Sequence, residues 1–201
     1  MSAPVGVVLA GGRATRMGGG DKGALALGGQ TLLARVMGRL GPQVSTMVLN
    51  ANGDAARFSD YGLPVTPDSL AGFPGPLAGV LAGMDWAADH GASHILTAAA
   101  DTPFFPLDLG ARLAEAGGAQ GFALAATQDP ESGKLYRHPT FGLWPVALRD
   151  DLRRALEEGL RKVVLWTDSQ GAGLAEFPVG SYDPFFNVNT PEDLQAAGAL
   201  L

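Results

Sequence analysis

The sequence contains no cysteine among its 201 residues, which excludes a disulfide framework, a thiolate nucleophile, a zinc–thiolate centre and an iron–sulfur cluster. Its chemistry has to be carried by oxygen and nitrogen groups, and a cytoplasmic setting is expected. Positive charge is scarce too: 14 Lys and Arg face 20 Asp and Glu, for a formal net of −6. No general attraction for duplex nucleic acid is therefore expected. No apolar stretch approaches the roughly 18 uninterrupted residues of a membrane span, and Met1-Ser2-Ala3-Pro4 places no basic segment before the short apolar run at 5–10. Neither a membrane span nor an export leader is expected. Aromatic residues make up only 7%, and Trp86, Trp144 and Trp166 read as core or rim residues rather than as ligand platforms.

What is present is a 46% hydrophobic chain rich in turn formers, with 29 Gly and 14 Pro, of a length that suits one domain spanning 1–201. The valine-rich run 5–9 stops at a glycine pair, as a strand buried on both faces does. From Thr31, the residues Leu32, Leu33, Val36, Met37 and Leu40 recur at helical spacing until Gly41-Pro42. Strands are expected at 44–49 and around Val65, with a short helix at 55–58 between them. Pro76 opens a helix with a Leu77, Val80, Leu81, Met84 stripe. A strand at 94–100, a helix from Pro106 and a strand at 121–127 follow, and 141–144 is expected to pair with a neighbouring strand. Helical patterns return at 146–158 and 161–167. The last helix has Thr190 as N-cap, Pro191 next and Asp193 in a capping-box position. This alternation predicts a three-layer α/β/α domain with a Rossmann-like, mostly parallel sheet. Ligands in such sheets bind beyond the carboxyl ends of the strands, so the loops after Leu9, Leu49, Val65 and Ala100 are the places to search.

The loop at 10–23 holds six glycines, Arg13, Arg16 and Lys22, and carries a net charge of +2 inside an acidic chain. Glycines let backbone N–H groups approach phosphate oxygens, and long cations can surround a triphosphate. The spacing matches neither the dinucleotide fingerprint nor the P-loop, because Lys22 follows Asp21 and precedes Gly23. Asp101 ends the apolar run at 94–100, which puts one carboxylate at a strand's carboxyl edge, a usual way to hold magnesium together with phosphate oxygens and water. The bland reading of the same residue is a turn aspartate before Thr102-Pro103. Asp68 follows Thr66-Pro67 and offers acceptors to a base or sugar, or forms an Asx turn. Asn50 and Asn52 bracket Ala51 at a strand end and offer amide donors and acceptors, or serve as turn residues. The glycine-rich segment at 72–79 brings backbone close to a ligand or simply leads into a helix. His138 lies beside Arg137 in an expected loop, and Lys162 beside Arg161 on an expected solvated face.

These residues together carry a resemblance. Leu9-Ala10-Gly11-Gly12-x-x-x-Arg16-Met17-Gly18-Gly19-x-Asp21-Lys22-Gly23 is similar to the opening signature of the molybdenum cofactor guanylyltransferases. Downstream, Asn50-Ala51-Asn52, Pro67-Asp68, Gly75-Pro76-Leu77-Ala78-Gly79, Asp101-Thr102-Pro103, His138-Pro139 and Phe186-Asn187-Val188-Asn189-Thr190-Pro191-Glu192-Asp193-Leu194 follow in that family's order. The resemblance implies the nucleotide-diphospho-sugar transferase type of sheet and transfer of GMP from GTP to the terminal phosphate of molybdopterin, with magnesium required. It implies backbone contacts to GTP from Leu9, Ala10, Gly11 and Gly12, with Lys22 and Arg16 as phosphate cations. Asn50 and Asp68 would hold the nucleoside end, and Asp101 the metal and nucleotide. His138, Lys162, Asn187 and Asn189 would stand on the molybdopterin side. Transient contact with proteins that deliver or accept the cofactor is expected.

Two other donors or acceptors stay open within the same chemistry: cytidylyl transfer to molybdopterin and nucleotidyl transfer to a sugar phosphate. From another class, a nucleotide-binding regulator without turnover stays open as well, although the presence of both Lys22 and Asp101 speaks against it.

Overall fold

The structure is a computed structural model that describes residues 2–11, 22–70, 72, 75–160 and 162–201. Gly12 and Arg16, both expected at the phosphate loop, lie outside the described residues. The chain starts with β1 (Val5–Leu9), whose alternate valines point to opposite faces: Val8 joins one core, Val5 and Val7 the other. That two-sided burial is what a continuous valine run specifies in a parallel sheet. A small hairpin, β2 (Ala26–Leu27) and β3 (Gln30–Thr31), leads into α1 (Leu32–Leu40), capped by the Thr31 hydroxyl, which accepts from Ala34 N at 3.1 Å.

The main sheet continues with β4 (Thr46–Asn50), β5 (Val65–Thr66), β6 (His94–Ala99), β7 (Ala123–Gln128), β8 (Leu135–Pro145) and β9 (Gly173–Phe177). Its spatial order is β5-β4-β1-β6-β8-β7-β9. β1 lies parallel to β4 and β6, β4 to β5, and β7 to β9, whereas β8 runs antiparallel to both β6 and β7. The strand order reverses next to β1, so the crevice above β1, β4 and β6 is the expected binding place.

Helices cover both faces. α1 and α3 (Leu109–Ala116) bury Leu33, Val36, Leu40, Leu109 and Leu113 against one face, with Phe105, Phe141, Phe177 and Phe185. On the other face lie α2 (Pro76–Asp89), α4 (Arg149–Glu157) and α5 (Val163–Ser169), whose Leu77, Leu81, Met84, Leu152, Leu156 and Trp166 enclose Phe122 and Trp144. A third, smaller cluster of Leu27, Leu32, Phe104, Val188 and Ala197 docks α6 (Pro191–Gly198) and the segment before it onto the β2–β3 hairpin. No helix among the described residues is long and apolar enough to cross a membrane.

Several elements differ from expectation. The helix expected from Pro106 starts at Leu109, and the one expected from 146 opens with a 3-10 turn, Val146–Leu148. The segment around His138 is strand, not loop, because β8 extends from Leu135. Pro139 is accommodated where the β7–β8 register shifts: His138 pairs with Ala125 and Gly142 with Leu124, which leaves residues 139–141 without a partner on β7.

Candidate active site

Beyond the carboxyl ends of β4, β1 and β6 lies a cavity of about 770 Å³. Leu9, Ala10, Gly11, Lys22 and Gly23 line it from the first loop, Asn50, Asn52 and Asp68 from the β4 and β5 ends, Ala99, Ala100 and Asp101 from the end of β6, and Thr140 from β8. The α2 N-terminus adds Gly75, Pro76 and Gly79. Seven of the residues to which the family resemblance gives a nucleotide or metal role thus meet around one space: Leu9, Ala10, Gly11, Lys22, Asn50, Asp68 and Asp101.

At one end, Asp68 is clamped between two amides. Asn50 Nδ2 donates to Asp68 Oδ1 at 3.0 Å and Asn52 Nδ2 donates to Asp68 Oδ2 at 2.7 Å, while Asp68 N donates to Asn52 Oδ1 at 2.9 Å. Asn50 is 4% exposed, and its Nδ2 also donates to Thr66 O at 3.2 Å. Its Oδ1 lies against α2 where a Cβ on Gly79 would overlap it, so glycine at 79 is required for helix and strand end to approach. Ser69, next to Asp68, donates to Asp85 on α2, which also accepts from Arg153 of α4 at 2.7 Å. The carboxylate is held from the strand end and its loop from the helix layer, so two acceptor oxygens keep a fixed orientation.

At the other end, Lys22 Nζ donates to Asp101 Oδ2 at 3.3 Å and to Asn189 Oδ1. The side chains of Lys22 and Asp101 are 18% and 23% exposed. Thr102 Oγ1 lies 3.3 Å from Asp101 Oδ1 and donates its one hydrogen to the nearer Asn187 Oδ1. Asn187 and Asn189 do not line the cavity themselves and stand behind it, with their oxygens on the buried Thr102 and on Lys22.

His138 stands apart from the cavity. Its ring stacks on Phe185, with centroids 4.4 Å apart, and its Nε2 bonds Thr127 Oγ1 at 2.8 Å. Burial pushes its pKa below the ordinary value, with Asp183 opposing, so the ring is neutral at pH 7. Lys162, the N-cap residue of α5, is exposed and does not line the cavity. The sequence reading gives no role to Thr140, which the antiparallel pairing of β8 with β6 carries two residues past Gly142, the partner of Thr97, to the carboxyl end of β6. Asn52 had a legible sign, an Asn-x-Asn pair at a strand end.

The described lining residues bring one lysine and two carboxylates, so a polyphosphate placed here needs further positive charge. Both Asp68 oxygens are engaged by amides, whereas Asp101 stands at the cavity edge beside Lys22. No cluster of three His, Asp or Glu side chains suited to a metal occurs among the described residues. A single carboxylate completed by phosphate oxygens and water fits magnesium and would suit calcium or zinc poorly.

Residues 6–170 match the family described as the MobA-like NTP transferase domain. A molybdenum cofactor guanylyltransferase of Bradyrhizobium sp. (strain ORS 278) is 52% identical over 198 residues, covering 97% of this chain and 92% of the relative. One from Mesorhizobium japonicum is 47% identical over 201 residues, covering 98% and 95%. Among solved structures, molybdopterin-guanine dinucleotide biosynthesis protein A from Archaeoglobus fulgidus superposes with a TM-score of 0.70 at 26% identity, covering 98% of this chain and 97% of that one. A 4-diphosphocytidyl-2C-methyl-D-erythritol synthase at 18% identity and a TM-score of 0.71 shares the fold. The mostly parallel sheet with helices on both faces is thus that of the nucleotide-diphospho-sugar transferases, and by the extent of these matches the chain belongs to the MobA-like NTP transferase family.

Proposed function

We propose that this chain transfers GMP from GTP to the terminal phosphate of molybdopterin, forming molybdopterin guanine dinucleotide and pyrophosphate. The observation that carries the reading is the single cavity in which a lysine, a strand-end carboxylate and an amide-clamped carboxylate meet, in a chain about half identical to proteins named for that transfer.

In the reaction, a molybdopterin phosphate oxygen forms a bond to the α-phosphorus of GTP, and the bond from that phosphorus to the β-phosphate oxygen breaks. The attacking oxygen is ionised at neutral pH, since a phosphomonoester has its second pKa near about 6, so no general base is required. The protein's work is positioning and charge neutralisation. Lys22 neutralises phosphate charge from the end of the first loop, and the backbone of Leu9, Ala10 and Gly11 supplies the floor beneath it. Gly12 and Arg16 are assigned to the same phosphate site on sequence grounds. Asp101 would hold magnesium, which supplies charge neutralisation at the phosphates and polarises the reacting phosphorus. Asp68, aimed by Asn50 and Asn52, presents acceptors that suit the N1–H and N2–H₂ donors of guanine.

The family resemblance assigns His138, Lys162, Asn187 and Asn189 to the molybdopterin side, and transient contact with proteins that deliver or accept the cofactor belongs to the same proposal. The cysteine-free composition supports a cytoplasmic setting. Thermal melts in magnesium with GTP, CTP, ATP and UTP test the reading, because a selectively bound nucleotide raises the melting temperature by mass action. GTP is expected to give the largest shift, and a larger shift with CTP would transfer the proposal to cytidylyl chemistry.

A further inference from the structure

The segment before α6 is fixed to the site by its backbone. Val188 N donates to Asp101 O at 2.9 Å, and the Val188 side chain is fully buried beside Leu27, Leu32 and Phe104. One residue on, the α6 capping box holds the chain again: Asp193 Oδ2 accepts from Asn189 N and from Thr190 N, each at 2.9 Å, while Thr190 Oγ1 accepts from Asp193 N at 3.2 Å. Asn189 therefore leaves a backbone pinned on both sides, and its Oδ1 accepts from Lys22 Nζ.

An ammonium has three N–H donors. Asp101 and Asn189 take two of Lys22's, at positions set by the end of β6 and the cap of α6, and the third is left for a ligand in the cavity that Lys22 lines. A lysine on a flexible four-carbon stem loses its freedom when it binds a phosphate, and a fixed acceptor removes part of that loss in advance. From this arrangement we propose that Asn189 is a positioning residue for the nucleotide: it acts through Lys22 to set triphosphate affinity, rather than by touching the acceptor substrate. The inference rests on the reading that GTP binds in this cavity.

The test is a double-mutant cycle on GTP affinity measured by calorimetry in magnesium with no molybdopterin present. The proteins are the wild type, Lys22→Ala, Asn189→Leu and the double variant, each first checked by thermal melt. Leucine fills the amide's volume without an acceptor; Asn189→Ala replaces it if the leucine variant does not fold, since the capping bonds use the Asn189 backbone. Lys22→Ala is expected to raise the GTP dissociation constant about tenfold or more, the scale of a hydrogen bond to a charged group, and Asn189→Leu about fivefold, a part of that effect because the lysine itself remains. The double variant should stay within about twofold of Lys22→Ala alone. Additive effects would overturn the inference, as would unchanged GTP affinity in Asn189→Leu with a raised KM for molybdopterin, which would make Asn189 an acceptor contact. Unchanged affinity in Lys22→Ala would instead overturn the nucleotide site itself, and the inference with it.

Discussion

Replacing Asp68 by asparagine separates what its carboxylate does for the fold from what it does for the base. Both carboxylate oxygens accept amide N–H groups, from Asn50 at 3.0 Å and from Asn52 at 2.7 Å. An amide at 68 has one oxygen only, so one of the two contacts becomes donor against donor. Asn50 is 4% exposed whereas Asn52 is exposed. The new oxygen should therefore turn to Asn50 and the new NH₂ to Asn52, where water relieves the mismatch. The stability cost is then about 1 kcal/mol, one net hydrogen bond, or about 2–4 °C of melting temperature for a chain of this size. In the proposed complex guanine brings N1–H and N2–H₂ donors to the same group. Losing a charged acceptor there costs about 1.5–3 kcal/mol, which is a rise of about tenfold to a hundredfold in the GTP dissociation constant. Adenine has no such donors at those positions, so ATP binding should hardly change. Calorimetric titration of both nucleotides beside a thermal melt reads all three quantities. Equal weakening of GTP and ATP, or a lowered melt with GTP affinity intact, would refute the base-recognition argument.

Other outcomes follow from the opposite end of the cavity and from the sheet. Asp101→Asn keeps the shape but removes the charge that would hold magnesium, and magnesium-dependent pyrophosphate release should fall by about a hundredfold or more; near-normal turnover would remove Asp101 from the reaction. His138 is held neutral by burial, with its pKa lowered from 6.5. The unfolded chain therefore takes up a proton before the folded one, so stability should fall as pH drops from about 6.5 towards the lower folded pKa and then level off. His138→Phe, which keeps an aromatic ring against Phe185, should flatten that part of a pH–stability curve measured by urea unfolding; an unchanged slope would assign it to another group.

Residues whose signals are local were legible in the sequence. The valine run of β1, the Thr31 cap, Pro76 at the first turn of α2 and the Thr190–Asp193 capping box each specify their element within a few residues. β9 was not legible: Gly-Leu-Ala-Glu-Phe alternates weakly, and it is a strand because β7, about 50 positions earlier, offers a parallel edge. The two-residue strands β2 and β3 are too short for any periodicity. The same division holds at the site. Lys22, Asp68 and Asp101 announced themselves by standing at strand ends or in the glycine loop, whereas the contact of Asn189 with Lys22 joins residues 167 positions apart. Thr140 reaches the cavity because β8 lies antiparallel beside β6, a pairing of residues 45 positions apart at Thr97 and Gly142.

The central claim is the identity of the group transferred, and it is tested most directly by incubating the chain with molybdopterin, magnesium and each of GTP, CTP and ATP at subsaturating concentration. Pyrophosphate release and the mass of the product are read together. GTP should exceed CTP and ATP by about a hundredfold in turnover efficiency, because guanine alone presents N1–H and N2–H₂ side by side to the charged Asp68 acceptors, and hydrogen bonds to a charged group are worth up to about 3 kcal/mol. The product should have the mass of molybdopterin guanine dinucleotide. A higher rate with CTP would contradict guanylyl transfer, and nucleotide binding with no pyrophosphate from any of the three would contradict catalysis altogether.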